Sequence, residues 1–198
     1  MKTAEIASTS PVEQFVVTSG ALRVTDPCYD LTTWCSGQLQ NVKNGTWNAQ
    51  VGFHQDEFEK NTSSKPSAYV GRVAYIHIYH DSVVPQKIDE MNNGVWRLAD
   101  FEVGVDSGQA GFFDLDFYKE QKEDESRDRV FYNQVCRLTC DMDNAGVDRS
   151  FGVVERGAVT SSGYGDGSYD CYFRLDEDKQ VVEAIIVFIV QDENSDED

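Results

Sequence analysis

A chain of 198 residues with 40% hydrophobic and 12% aromatic residues holds enough apolar material for one core-bearing domain, which excludes wholesale disorder. Its 35 acids against 17 bases give a formal charge of -18, a field that disfavours nucleic acid and anionic membranes. The same field favours cations or a basic protein partner.

The opening stretch MKTAEIASTSPVEQ has one lysine and no apolar run, so neither a signal nor a transit peptide is expected. The longest apolar run, VVEAIIVFIV over 181–190, is short of a membrane span and interrupted by Glu183. A cytoplasmic location follows as the expectation, and the five cysteines read as reduced, mostly buried thiols. Residues 1–14 read as a mobile lead-in, 15–190 as a single β-rich domain with a charged insert at 119–128, and 191–198 as an acidic disordered tail.

Within that domain FVVTSGALRVT (15–25) reads as strand interrupted at Ser19-Gly20, and Asp26-Pro27 stops it because proline has no N–H for a ladder. Asn44-Gly45 before TWNAQVGF suggests a hairpin turn, and Asn93-Gly94 before VWRLADFEVGV repeats that pattern. GRVAYIHIYH (71–80) alternates Val73, Tyr75, His77 and Tyr79 on one face with Ala74, Ile76, Ile78 and His80 on the other. With both faces largely apolar, it reads as a strand near the middle of a packed sheet.

YKEQKEDESRD (118–128) is charged and reads as exposed, leading into one short amphipathic helix that places Phe131, Val135 and Leu138 near helical spacing. SYDCYFRL and VVEAIIVFIV, joined by DEDKQ, form a terminal hairpin. Seven to nine strands with one helix imply a mainly β fold, as a β-sandwich or a strongly bent antiparallel sheet.

Ser19-Gly20 precedes Asp26 as Ser107-Gly108 precedes Asp114, and N-G-x-W occurs at 44–47 and 93–96. The two echoes have different offsets, so repeated turn chemistry explains them more simply than a tandem duplication. Three loops, TSGALRVTDPCYD, GVDSGQAGFFDLD and SSGYGDGSYD, each set Ser-Gly at a bend beside a carboxylate. Such a bend lets serine and successive N–H groups form an anion-binding nest. This makes Ser19, Gly20, Ser107, Gly108, Gly165 and Gly167 candidate ligand-binding positions. The aspartates point instead to a hard cation, with Asp26, Asp106, Asp114 and Asp166 as ligands of Ca²⁺ or Mg²⁺ if the loops converge. Ordinary Asp-Pro and Asp-Gly turn chemistry accounts for the same residues without a ligand.

No complete catalytic set is present. His77 and His80 lie on opposite strand faces, Cys136 and Cys140 lack a partner pair at zinc spacing, and Ser107 and Ser162 lack a nucleophile elbow. The blocks VDSGQAGFFD and SSGYGDGSY resemble those of an uncharacterised bacterial and phage family with V-D-S-G-x-A-x-F-x-D and S-x-G-Y-G-D-G-x-Y motifs. The resemblance spans roughly residues 15–190 and implies shared architecture but no activity; it adds Tyr164 to the candidate ligand-binding positions. The functional expectation is an acidic binding protein, serving as an immunity or anti-defence factor that captures a basic protein or small ligand. The alternative is a metal-dependent hydrolase of a phosphorylated or nucleotide substrate acting through the clustered aspartates.

Overall fold

The computed structural model describes residues 3–54, 71–88, 94–123, 125–140 and 150–190. Two antiparallel sheets form the fold. The larger contains β1 (Ser8–Thr9), β2 (Glu13–Val17), β5 (Gly45–His54), β6 (Arg72–His80), β7 (Arg97–Val105), β11 (Gly167–Leu175) and β12 (Val181–Val187). Its order is β1-β5-β6-β12-β11-β7, with β2 also on β5. The smaller sheet runs β4-β3-β8-β10-β9, from β3 (Ala21–Thr25), β4 (Gly37–Gln40), β8 (Gln109–Asp114), β9 (Phe151–Val154) and β10 (Gly157–Ser161).

The fold is mainly β, as the alternation implied, and the terminal hairpin stands as β11–β12. Alternation sends Ile76 and Ile78 of β6 to the main core with Trp47, Val51 and Phe112, and sends Tyr75, His77 and Tyr79 to the other face. A second apolar cluster of Phe113, Phe117, Tyr118, Phe131 and Val135 lies between the smaller sheet and two helices. These are α1 (Leu115–Lys122) and α2 (Glu125–Thr139), so the charged insert expected to precede one helix is itself largely helical. Glu120, Glu123 and Arg127 are exposed while Phe117, Tyr118 and Phe131 supply the buried stripe.

Other expectations change for physical reasons. Asn44-Gly45 does not turn a hairpin, because β4 and β5 lie in different sheets and the pair sits at the corner between them. Asn93 lies outside the described residues, as does the acidic tail. Residues of the lead-in are tied down: Ser8 and Thr9 pair with Phe53 and Gly52, and Ala4 donates to the Ile189 carbonyl. Of the five cysteines, all unbridged, only Cys171 is buried, and Cys28 and Cys140 are exposed.

The pairing registers show that the chain repeats itself. β2 meets β5 with Val17 opposite Gly45, and β7 meets β11 with Val105 opposite Gly167. β3 meets β4 as β8 meets β10, with Ala21 opposite Gln40 and Gln109 opposite Ser161. The unit β2–β6 thus recurs as β7, β8, β10, β11, β12, with α1, α2 and β9 inserted. Asn44-Gly45-Thr46-Trp47 corresponds to Asp166-Gly167-Ser168-Tyr169, and the edge-to-face pair Trp47–His80 (5.8 Å) to Tyr169–Phe188 (5.0 Å). The Ser-Gly to Asp echo therefore belongs to a repeated unit, against the expectation, whose offsets differed because the N-G-x-W echo does not join equivalent positions. The N-G-x-W echo is a coincidence of composition, since Gly94 precedes β7 and Gly45 opens β5.

Candidate functional site

The repeated units clasp one another through the Ser-Gly bends. Asp26, fully buried at the end of β3, accepts the Asp106 and Ser107 amides at 2.9 and 2.7 Å on Oδ2. Its Oδ1 accepts the Ser107 hydroxyl at 2.6 Å and the Cys28 amide at 2.8 Å. Asp114, equally buried at the end of β8, accepts the Thr18 and Ser19 amides at 2.7 and 2.8 Å on its Oδ2. Its Oδ1 caps α1 through the Asp116 and Phe117 amides and pairs with Arg156 at 2.9 Å. The nests anticipated at these bends exist, and the anion in each is the aspartate of the other unit. Burial alone would raise the Asp114 carboxyl, but amide donation from Thr18, Ser19 and Phe117 and the Arg156 charge outweigh it and hold it below the usual carboxylate range.

The bends do not all meet. Antiparallel pairing of β3 and β8 sets Leu22 opposite Asp114 and Thr25 opposite Gly111, so Asp26 lies about 13 Å along the ladder from Asp114. Ser19 and Gly20 are at the Asp114 end, where the Gly20 amide donates to Asn44 Oδ1. At the other end the glycine loop touches the second bend, the Ser162 amide donating to the Gly108 carbonyl at 2.9 Å. That loop turns the chain between β10 and β11: Gly163 and Gly165 have φ of 54° and 106°, and Tyr169 Oη donates to the Gly165 carbonyl. Tyr164 stands out under the Arg72 guanidinium, and Asp166 is exposed. The four aspartates expected to gather around Ca²⁺ or Mg²⁺ are thus split between the two ends and two are saturated by donors. Among the described residues no group of three or more His, Cys, Asp or Glu is arranged to hold a metal ion. The gathering on which the hydrolase reading depended is not there.

Two cavities among the described residues bear on function. The first, about 550 Å³, lies between the loop before β4 and the strands β7 and β11, with Asp106 and Gly167 in its wall. Asp26 fixes the Asp106 amide, so this buried carboxylate positions an exposed one. Trp34 stands at the rim, 91% exposed, and the charged residues of the lining, Asp100, Glu102 and Asp106, are all acidic. Glu102 is steadied by the Ser168 hydroxyl at 2.7 Å. Burial, with Cys35 and Asp106 hydrogen-bonded beside it, pushes the Tyr29 phenol up, so the cleft floor stays a neutral O–H at physiological pH.

The second cavity, about 780 Å³, lies on the outer face of the larger sheet under residues 3–6 and 85–88. Tyr75, His77 and Tyr79 form its floor. Behind them Glu183, fully buried on β12, accepts His77 Nε2 at 2.7 Å and the Gln86 amide at 2.8 Å on Oε1, and Arg174 Nε at 2.5 Å on Oε2. Glu183 entered the sequence reading only as an interruption. A carboxylate inside an apolar strand was the available signal, because a buried acid must have partners. Trp34, Asp100 and Glu102 carried no motif, and only folding brings them together.

A family model described as "Protein of unknown function (DUF4241)" matches residues 15–186. No curated protein and no solved structure matches the chain.

Proposed function

We propose that this chain, which belongs to the DUF4241 family, is a binding protein that captures a basic protein through the cleft beneath Trp34. The observation that carries the reading is an indole 91% exposed above a cleft whose charged lining residues are all carboxylates. An exposed tryptophan invites burial, and its face attracts a cation, a contact worth about 0.5–2 kcal/mol. A lysine or arginine lying on Trp34 would bring its charge to Asp100, Glu102 and Asp106. The net charge of -18 adds long-range steering toward the same class of partner. A basic nuclease or toxin has this chemistry, which is the form an immunity or anti-defence role would take.

The test uses an Arg-Gly repeat peptide as probe. Binding to the whole chain should weaken about 2- to 30-fold with Trp34→Ala, and association should slow steeply as salt rises. Affinity unchanged by Trp34→Ala, or indifferent to ionic strength, rejects the reading.

A further inference from the structure

The larger cavity carries chemistry that capture of a basic partner does not use. We propose that it is a binding site for a small aromatic hydroxy compound, with His77 Nδ1 as the acceptor of the ligand's acidic proton.

The tautomer follows from the network. Glu183 receives Arg174 Nε, the Gln86 amide and His77 Nε2 within 2.5–2.8 Å, so it is an ionised acceptor and the hydrogen of the imidazole sits on Nε2. That leaves the Nδ1 lone pair, which has no hydrogen-bond partner among the described residues, on a side chain that lines the cavity. A carboxylate behind an imidazole that faces an open volume is the arrangement that makes histidine a base, since any charge gained at Nδ1 is balanced through Nε2.

The Trp96 ring packs on the same imidazole, centroid to centroid 6.0 Å, and its buried Nε1 has no acceptor among the described residues. Trp96 is not in the cavity lining, so its part is to pack against the imidazole, and His77 Nδ1 is the unmet polar atom that the lining offers a ligand. The walls supply the rest of the selection. Tyr75 and Tyr79 flank His77 on one strand face, and Ile6, Pro85 and Ile88 close over them, a lining suited to a flat ring. Lys87 in the lining is the counter-charge for an anion, with Glu5 opposing a second negative group. Proton transfer from ligand O–H to Nδ1 breaks the O–H bond and forms N–H, leaving a phenolate near Lys87 and an imidazolium paired with Glu183.

4-Nitrophenol is the probe, because its ionisation is visible as nitrophenolate absorbance. At a pH below the probe's own pKa, the chain should raise that absorbance saturably. His77→Gln should abolish the rise, Lys87→Ala should weaken it several-fold, and Trp34→Ala should leave it unchanged, which separates this site from the cleft. Ring ¹⁵N spectra of the unaltered chain give a check that needs no variant: His77 should show an unprotonated Nδ1 that shifts on probe addition. An Nδ1–H tautomer overturns the proposal. So does an absence of saturation at about 10 mM probe, or equal binding by His77→Gln.

Discussion

Asp26 and Asp114 show how two residues of one type, called ligands by their surroundings in sequence, serve instead as the anions of the fold's own nests. Each is fully buried, and each holds the bend that opens the other's strand. Asp114→Asn replaces an acceptor by an amide that cannot satisfy both Arg156 and the facing N–H groups. It should lower stability by about 3 kcal/mol at pH 7, read by urea denaturation. The pH dependence has a definite sign. Because the folded-state pKa is depressed, the carboxylate's contribution is complete above its unfolded value of about 3.9 and disappears as pH falls through the folded one. The native chain should therefore lose more stability than Asp114→Asn between pH 7 and pH 3; equal losses would mean Asp114 is not the group being titrated. The sequence placed a carboxylate near each Ser-Gly bend, but the bend that each carboxylate serves is about ninety positions away. Only the β3–β8 register decides that.

At the level of strands and loops, the bends themselves obey a local rule that the sequence carried openly. Gly20 and Gly108 share a φ of 70°, and a Cβ on either would meet nothing closer than 3.9 Å. Alanine at each position should then cost the same, about 1–2 kcal/mol, from backbone strain alone. Unequal costs, measured by thermal melts, would show that the two turns are not equivalent. Gly52 is different in kind: its Cβ would lie 2.4 Å from the Tyr75 ring. Gly52→Ala should push that ring into the larger cavity and block 4-nitrophenol, with the nitrophenolate absorbance rise as the readout and no change at His77. Here the sequence showed a glycine in a strand and nothing about its neighbour, because cross-strand packing is set by pairing. The loop at 83–88 is likewise written into β12 rather than into itself. Glu183 holds the Gln86 amide, and Arg174 reaches the Val84 carbonyl. Glu183→Gln should raise hydrogen exchange at Gln86 by about tenfold or more; unchanged exchange would show that the loop is held by other contacts.

The repeat controls the whole molecule. β3 and β8 adjoin in the smaller sheet and β6 and β12 adjoin in the larger, so both sheets are joined across the seam between the units. The buried faces of Ile76 and Ile78 on one unit and of Ile185 and Ile186 on the other belong to one core. Each unit contributes strands to both layers, and alone it would leave β3 or β8 in the smaller sheet and β6 or β12 in the larger without the neighbour that pairs with it across the seam. This was hidden in the sequence because the units match in register and turn position more than in residue identity, and because α1, α2 and β9 displace the second half. It leads to an outcome that a chain of two independent domains would not give. Cut between Ile88 and Gly94, each fragment alone should lack cooperative unfolding, since folding it would leave an unpaired strand edge on both sheets and expose the core side chains shared across the seam. Mixed, the fragments should associate one to one and recover the circular dichroism of the intact chain, with the Asp26 and Asp114 clasps reforming across the break. A fragment that folds cooperatively by itself would show that the seam is an interface between finished domains rather than the middle of a single core.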